Sequence, residues 1–446
     1  MLGERRRKVR MTFQAPRGTE DLLPEETAVW RKVEGLFHSI CARFHYGEIR
    51  TPLFEQTELF VRGVGESTDI VNKEMYTFED RGGRSLTLRP EGTAPVVRAF
   101  VEHKLFGEGG GPIKLYYMGP MFRYERPQAG RQRQFHQLGV EVLGSHDPAV
   151  DAEIISLAWT FFQELGLKGI QLQINSVGCP TCRPMYRESL IRYFTPYEEE
   201  LCEDCRKRLT KNPMRILDCK VDGEKDFVKE APIILDHLCD DCTHHFERIK
   251  GMLDDLQIPF VINPRLVRGL DYYTRTAFEF MEGSIGAQSA VGGGGRYNGL
   301  VSEIGGPDVP GIGFGLGMER LVLALRNQGI PLEGDDGLDF YLIAVGERAR
   351  RERIKLMQTL RRAGFKVETD YAERKMKGQL KAADRLNARC ALILGEEELA
   401  EGKILLKDLK TGEQEKVPLL EVVEACRKSL GISRGLGYFD PPVSEE

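Results

Sequence analysis

The sequence predicts an α+β domain built on an antiparallel sheet, interrupted by a Cys-rich insertion and followed by a small α/β domain. Three observations predict it. The apolar runs KLYYMGPMF and QLGVEVLG flank RPQAGRQRQ, where Pro127 and Gly130 punctuate a turn. That pattern reads as two antiparallel strands joined by a long basic loop. Farther on, DFYLIAVG, FKVETDY and CALILG alternate with charged helix-period segments. This βαβαβ rhythm implies a parallel or mixed sheet. Between the two patterns, from Cys179 to about Lys250, the chain becomes rich in Cys and charge.

The elements follow in order. Residues 1–12, including MLGERRRKVR, are basic with no apolar stretch behind them, so they read as a disordered tail and not a secretory signal. Residues 13–178 mix two periods: VWRKVEGLFHSICARFHY has helical spacing, and GIQLQINSVG alternates as a strand does. Residues 179–250 form the insertion. FVINPRL and AFEFMEG resume the first texture over 251–330, and PLEGDDG is a polar linker. The α/β domain covers 336–430, and 431–446 form a tail. A chain of 446 residues suits two or three domains, and 41% hydrophobic residues support real cores. A net charge of −5 argues against a globally basic nucleic-acid binder, so any such contact must use local patches. No run of about 18 apolar residues predicts a membrane span.

Two segments carry chemistry. Arg123, Arg126, Arg131 and Arg133 crowd one turn. Guanidinium groups suit phosphate because they are planar, always charged and bidentate. Phe135 adds a flat apolar face, and Glu141 an acid on a buried strand. Together they suggest a nucleotide site beside a second, cationic substrate. A solvated charged hairpin has the same composition. In GIGFGLGMERL, Gly311, Gly313, Gly315 and Gly317 alternate with apolar residues, which strips one strand face of side chains. Helical spacing follows, placing Arg320 at a strand-to-helix junction. The segment reads either as tight strand–helix packing or as a second wall for a nucleotide.

At these residues a resemblance emerges. FRYE, a loop and RQRQF are similar to motif 2 of class II aminoacyl-tRNA synthetases; GFGLGMER resembles motif 3. TPLFEQTELFVR, with Pro52, resembles motif 1, the long helix and strand of the dimer interface. RGLDYYTRTAFEF and GGGGRYNGLV resemble the two signatures of histidyl-tRNA synthetases, and LRPEGTAPVVRAF fits the same family. The resemblance runs from about Phe13 to about Leu430. It implies a class II catalytic domain over 13–178 and 251–330, and an anticodon-binding domain over 336–430. It also implies ATP and Mg2+ as cofactors, L-histidine and tRNA(His) as substrates, a homodimer and a cytoplasmic enzyme. A synthetase-like regulatory subunit of histidine biosynthesis is the alternative. That paralogue generally lacks the C-terminal domain and degrades the motifs, both of which are present here.

Carried over residue by residue, the resemblance implies these roles. Arg123 contacts the α-phosphate. Arg131 and Arg320 hold the γ-phosphate, and Phe135 and the Arg320 guanidinium cover opposite faces of adenine, with Glu125 near its edge. Arg268 touches the α-phosphate and the histidine carboxylate as the main catalytic cation. Glu91, Thr93 and Gln137 hold the amino and carboxylate groups. Glu141 and Tyr273 read the two ring nitrogens, with Tyr272 close by; a carboxylate and a phenol can satisfy one each. Each has a plainer reading: Tyr272 and Tyr273 as core aromatics, Glu91 as an acid opening the helix GTAPVVRAFVEH, and GGGGRYNG as a flexible loop.

Three CxxC pairs stand in the insertion: Cys179/Cys182, Cys202/Cys205 and Cys239/Cys242, with Cys219 between the last two. The first two pairs have the spacing of a four-cysteine zinc site, so CPTC and CEDC are the first-choice ligands. Zinc is not general in the family, so reduced thiols without metal are the expectation. From Asp339 to Lys428 there are 20 Lys and Arg against 16 Asp and Glu. Arg374, Lys375, Lys377, Lys381, Arg385 and Arg389 cluster on one predicted helix and its approach. They read equally as a solvated face or as phosphate contacts.

Overall fold

A computed structural model describes residues 13–65, 68–107, 111–267, 269–285, 290–331 and 337–432. The expected tail 1–12, most of the tail 431–446, and Arg268 lie outside the described residues. Two compact units divide at residues 332 and 333.

The first unit is organised by an eight-stranded sheet. Its order is Gly47–Glu48, Ile113–Phe122, Gln134–Leu143, Gly311–Gly317, Ala290–Arg296, Thr274–Glu282, Ile170–Ser176 and Phe260–Ile262. Only the two end pairs are parallel. The basic hairpin forms as its alternation predicts, with Phe122 opposite Gln134 and Ile113 opposite Leu143. The sheet has one apolar face. Leu138, Val140, Val142, Ile312, Phe314, Leu316, Phe278 and Phe280 bury there. Strand period then puts Gln137, Gly139, Glu141 and the motif glycines on the opposite face.

Helices cover the apolar face. Pro24–Arg43 opens with Pro24, Glu25 and Glu26, closes with Arg43, and buries Trp30, Val33, Phe37 and Ile40. Pro148–Glu164 and Asp240–Asp255 join the same core through Ile154, Phe161, Phe246 and Ile249. Asp240–Asp255 thus runs across the expected insertion boundary at 250. The rest of the insertion is helical around its own core of Tyr186, Leu190, Phe194, Leu209 and Ile216. A smaller sheet orders Phe54–Gln56, Ser85–Leu88 and Tyr76–Glu79, with Leu53, Phe54 and Phe78 exposed. The TPLFEQTELFVR segment supplies only the strand Phe54–Gln56 and the eight-residue helix Thr57–Val64.

In the second unit, Phe340–Ala344, Val367–Thr369 and Cys390–Leu394 pair in parallel. Lys403–Asp408 and Gln414–Pro418 then extend the sheet antiparallel. The mixed sheet matches the expectation; the closing hairpin is an addition.

Candidate functional site

The hairpin loop is braced before it meets any ligand. Gly18 O accepts the Arg133 and Gln134 N–H groups at 2.7 and 3.2 Å. Gly18 has φ +85°, and a Cβ there would stand 2.7 Å from Arg133 Cγ. Arg133 itself lies over the Tyr124 ring at 3.8 Å, so it shapes the loop. Arg126 is exposed.

The other arginines converge. Arg123 donates from Nε to Pro90 O at 2.8 Å, and its guanidinium lies 5.2 Å from the Phe135 ring centre. Arg131 Nε is 2.9 Å from Glu125 Oε2, and Arg123 Nη1 is 3.9 Å from Oε1. Arg320, in the first turn of Met318–Asn327, donates to Gly130 O at 3.4 Å and to Ala290 O. Burial lowers the Arg320 pKa, and the charges of Arg131 and Arg123 push it lower still. Three guanidinium groups crowd here; Glu125 lies beside two of them, and the charges of Glu125 and Glu279 partly offset the crowding at Arg320. Glu319 is committed elsewhere, accepting the His136 N–H at 2.9 Å.

These groups line one cavity of about 330 Å³, together with Gln137, Gly292, Gly293, Gly315 and Gly317. The glycines serve two purposes. Gly315 leaves the wall open, for a Cβ there would reach no nearer than 3.5 Å to Gln137. Gly313 instead makes room for protein, because its Cβ would lie 1.8 Å from Glu141 Oε2.

Glu141 is fully buried opposite Gly313. Thr93 Oγ1 donates to its Oε1 at 2.7 Å, Tyr117 OH to the same oxygen at 3.4 Å, and Tyr297 OH to its Oε2 at 2.5 Å. Burial pushes this carboxyl up to about 8, with the hydroxyl bonds pulling the other way. Tyr272 and Tyr273 pack against this cluster, their ring centres 4.7 Å apart, with Tyr297 5.7 Å from Tyr272. Glu91 takes the role of the plainer reading: its oxygens accept the N–H groups of Thr93 and Ala94 at 2.7 and 2.8 Å, capping helix Thr93–Glu102.

So the predicted residues fall into two sets. Arg123, Glu125, Arg131, Phe135, Gln137 and Arg320 surround the cavity. Thr93, Glu141, Tyr272 and Tyr273 form a buried polar–aromatic cluster, with Tyr273 also lining a second cavity of about 370 Å³. Tyr117 and Tyr297 were not foreseen. Gly92 and Gly139 are the sequence signal for Tyr117, since a Cβ on either would strike its ring within 2.3 Å. Also unforeseen is Asp151, whose Oδ2 is 2.5 Å from Arg296 Nη2, both side chains fully buried. Thr276 Oγ1 and His245 Nε2 complete that group at 2.5 and 3.2 Å from Oδ1.

Comparison with known proteins decides the family. A family model described as Histidyl-tRNA synthetase matches residues 18–181 and 198–321. The chain belongs to the histidyl-tRNA synthetase family. An anticodon binding domain model matches 339–429 of the same synthetase-family chain. A Histidine--tRNA ligase of Geobacillus sp. (strain WCH70) is 57% identical over 94% of this chain and all of that protein. The crystal structure of apo S. aureus histidyl-tRNA synthetase is 45% identical, covers 93% of this chain and 100% of that one, and has a TM-score of 0.81. A Bacillus halodurans protein titled ATP phosphoribosyltransferase regulatory subunit/histidyl-tRNA synthetase shares the fold alone, at 21% identity and TM-score 0.61, over 86% and 99% of the two chains.

Within this synthetase family member the cysteines pair differently from the expectation. CPTC does not join CEDC. Cys179, Cys182, Cys239 and Cys242 form one group, and Cys202, Cys205, Cys219 and Asp222 another. The helices Arg183–Phe194 and Asp240–Asp255 begin side by side and override the shorter sequence spacing. In the second unit, Arg374, Lys375, Lys377, Lys381, Arg385 and Arg389 are all exposed on or beside helix Met376–Arg385. Among the described residues no helix is long and apolar enough to cross a membrane.

Proposed function

We propose that this chain activates L-histidine with ATP and transfers it to tRNA(His), in the cytoplasm and as a homodimer. The observation that carries the reading is the glycine-walled cavity ringed by Arg123, Arg131 and Arg320 beside the buried Glu141–tyrosine cluster. Activation brings a carboxylate onto an α-phosphate. Two anions approach and negative charge grows on phosphorus oxygens, so catalysis is positioning plus electrostatic stabilisation.

Arg123 meets the α-phosphate, and Arg131 exchanges Glu125 for the γ-phosphate. Arg320 takes the γ-phosphate from the other wall. Adenine enters between Phe135 and Arg320, which requires Arg123 to leave the Phe135 face. Arg268 supplies the cation shared by the α-phosphate and the histidine carboxylate. Gln137 holds the amino acid backbone, with Thr93 and Glu91 behind it. Glu141 and Tyr273 read the imidazole, with Tyr272 supporting them. Glu279 and Glu319, the latter now accepting the His136 N–H, line the same cavity; their oxygens would hold Mg2+, which would supply charge neutralisation at the phosphates. The exposed Leu53, Phe54 and Phe78 support a second copy packing on the small sheet. The exposed cations of helix Met376–Arg385 contact tRNA phosphates.

ATP–pyrophosphate exchange with each of the twenty amino acids tests the reading. Exchange with histidine alone is expected, and Arg268→Ala is expected to lower it by roughly 10²–10³. Exchange with another amino acid, or none, would refute the assignment. Light scattering near the monomer mass of 50.5 kDa would refute the dimer.

A further inference from the structure

Two of the three CxxC pairs stand where the chain enters and leaves the insertion, and histidine activation uses neither. Cys179 and Cys182 follow strand Ile170–Ser176, with Cys182 immediately before helix Arg183–Phe194. Cys239 is the residue before helix Asp240–Asp255, and Cys242 lies in its first turn. Sixty residues of chain separate Cys179 from Cys239, yet all four sulfurs lie within 4.8 Å of one another.

The distances discriminate between chemistries. Cys179 Sγ is 3.6 Å from Cys182 Sγ and 3.8 Å from Cys239 Sγ. A disulfide would need about 2.05 Å. Four thiolates at about 2.3 Å from one zinc ion define a tetrahedron with edges of roughly 3.8 Å. The ligand atoms therefore stand at single-ion spacing. Backbone donors also reach these sulfurs. Cys239 N–H donates to Cys182 Sγ at 3.1 Å, and both pairs sit at helix starts, where backbone N–H groups favour negative charge. Cys182 and Cys242 are buried, while Cys179 and Cys239 are partly open, which leaves an entry path.

We propose that Cys179, Cys182, Cys239 and Cys242 form a tetrathiolate site for one zinc ion, which clasps the two crossings between the insertion and the main sheet. The second cluster is different. Its fourth member is a carboxylate, not a thiol: Asp222 lies 2.8 Å from Lys225 Nζ and accepts the Cys202 N–H at 2.9 Å.

The clasp reaches the amino-acid site through bonded neighbours. Arg183, next to Cys182, donates to Val177 O at 3.2 Å and to Tyr273 O. Arg275 and the Val177–Gly178 backbone exchange bonds of 2.6 and 2.8 Å. Cys242 lies one helical turn before His245, which bonds Asp151. The ion thus positions the segment carrying Tyr272 and Tyr273 without touching substrate.

The test is elemental analysis of the full chain, expressed with zinc supplied and passed through gel filtration in EDTA. Cys239→Ser is expected to carry one zinc per chain fewer than the wild type. The double variant Cys202→Ser, Cys219→Ser is expected to keep the equivalent that Cys239→Ser loses. If a variant fails to fold, the wild type grown on cobalt decides, with thiolate-to-cobalt absorption and tetrahedral ligand-field bands expected. A zinc-free wild type, equal zinc in Cys239→Ser and wild type, or a cobalt protein without thiolate bands would overturn the proposal.

Discussion

Glu141 and Asp151 are two fully buried carboxylates in one unit, and their surroundings treat them in opposite ways. Asp151 meets a cation: Arg296 grips both its oxygens at 2.5–3.0 Å, and His245 and Thr276 fill the remaining sites. Burial raises its pKa, but these bonds outweigh burial and leave it below the ordinary value. Glu141 meets only hydroxyl groups, and burial wins, to about 8. The lesson concerns readiness. Asp151 is a finished ion pair that ties helix Pro148–Glu164 to strand Ala290–Arg296. Glu141 is held in place by hydroxyl groups with no cation beside it, which is what the proposed reading of an imidazole there requires.

Asp151→Asn should give the largest effect on stability. It leaves Arg296 buried without its counter-charge, a loss of about 3–5 kcal/mol. Thermal and denaturant melts should show it, and near-wild-type stability would break the comparison. Glu141→Gln should leave the melt intact or raise it. The Michaelis constant for histidine should rise about tenfold or more, the worth of one hydrogen bond to a charged partner, while that for ATP stays put. Unchanged constants for both substrates would make Glu141 a purely structural strand residue.

The pH dependence should have opposite signs at the two sites. Glu141 binds its proton more tightly when folded, so its contribution is full below pH 4.5 and is lost as pH rises to about 8. Asp151 behaves the other way: its contribution is present above pH 3.8 and is lost as pH falls through its lowered folded value. Melts of wild type and Glu141→Gln across pH 5 to 8 should diverge, with the wild type falling faster; parallel curves would refute the raised carboxyl. The smaller of the two stability losses belongs to Tyr297→Phe. Removing one hydroxyl from Glu141 should cost about 1–3 kcal/mol, with a modest rise in the histidine constant and none in that for ATP. A larger loss than Asp151→Asn causes would reverse the ranking of the two sites.

Much of this was legible in the sequence, for local reasons. The hairpin and the glycine strand declared themselves because alternation, turn residues and the strand-to-helix change lie within short windows. Arg123, Arg131 and Arg320 could be foreseen together because each sits at a marked turn or junction. The partners of Glu141 could not. Thr93, Tyr117 and Tyr297 reach it across 48, 24 and 156 residues, and only folding brings them together. Lys403–Asp408 and Gln414–Pro418 hid for another reason: their charge masks the apolar alternation of an edge hairpin. The cysteines misled through spacing, since the nearer CxxC pair is not the spatial partner. Asp151 is one of two acids in the otherwise apolar helix segment AVDAEIISLAWTFF; the other, Glu153, meets Lys114 and Tyr46, and nothing local marks Asp151 as the buried one.

The meeting of Cys179 with Cys239 also bears on how the chain folds. Closing a loop of sixty residues costs on the order of 4 kcal/mol of chain entropy, largely independent of what lies inside it. Once the ends meet, the insertion's helices assemble on contacts among neighbours in sequence, around Tyr186, Phe194 and Leu209. Residues 183–238 are then expected to behave as a foldon, opening and reclosing once ties such as Arg208–Asp69 and Asn212–Asp271 release, while the eight strands stay paired. Amide exchange should then register it as one block, with protection that rises and falls separately from that of the main sheet.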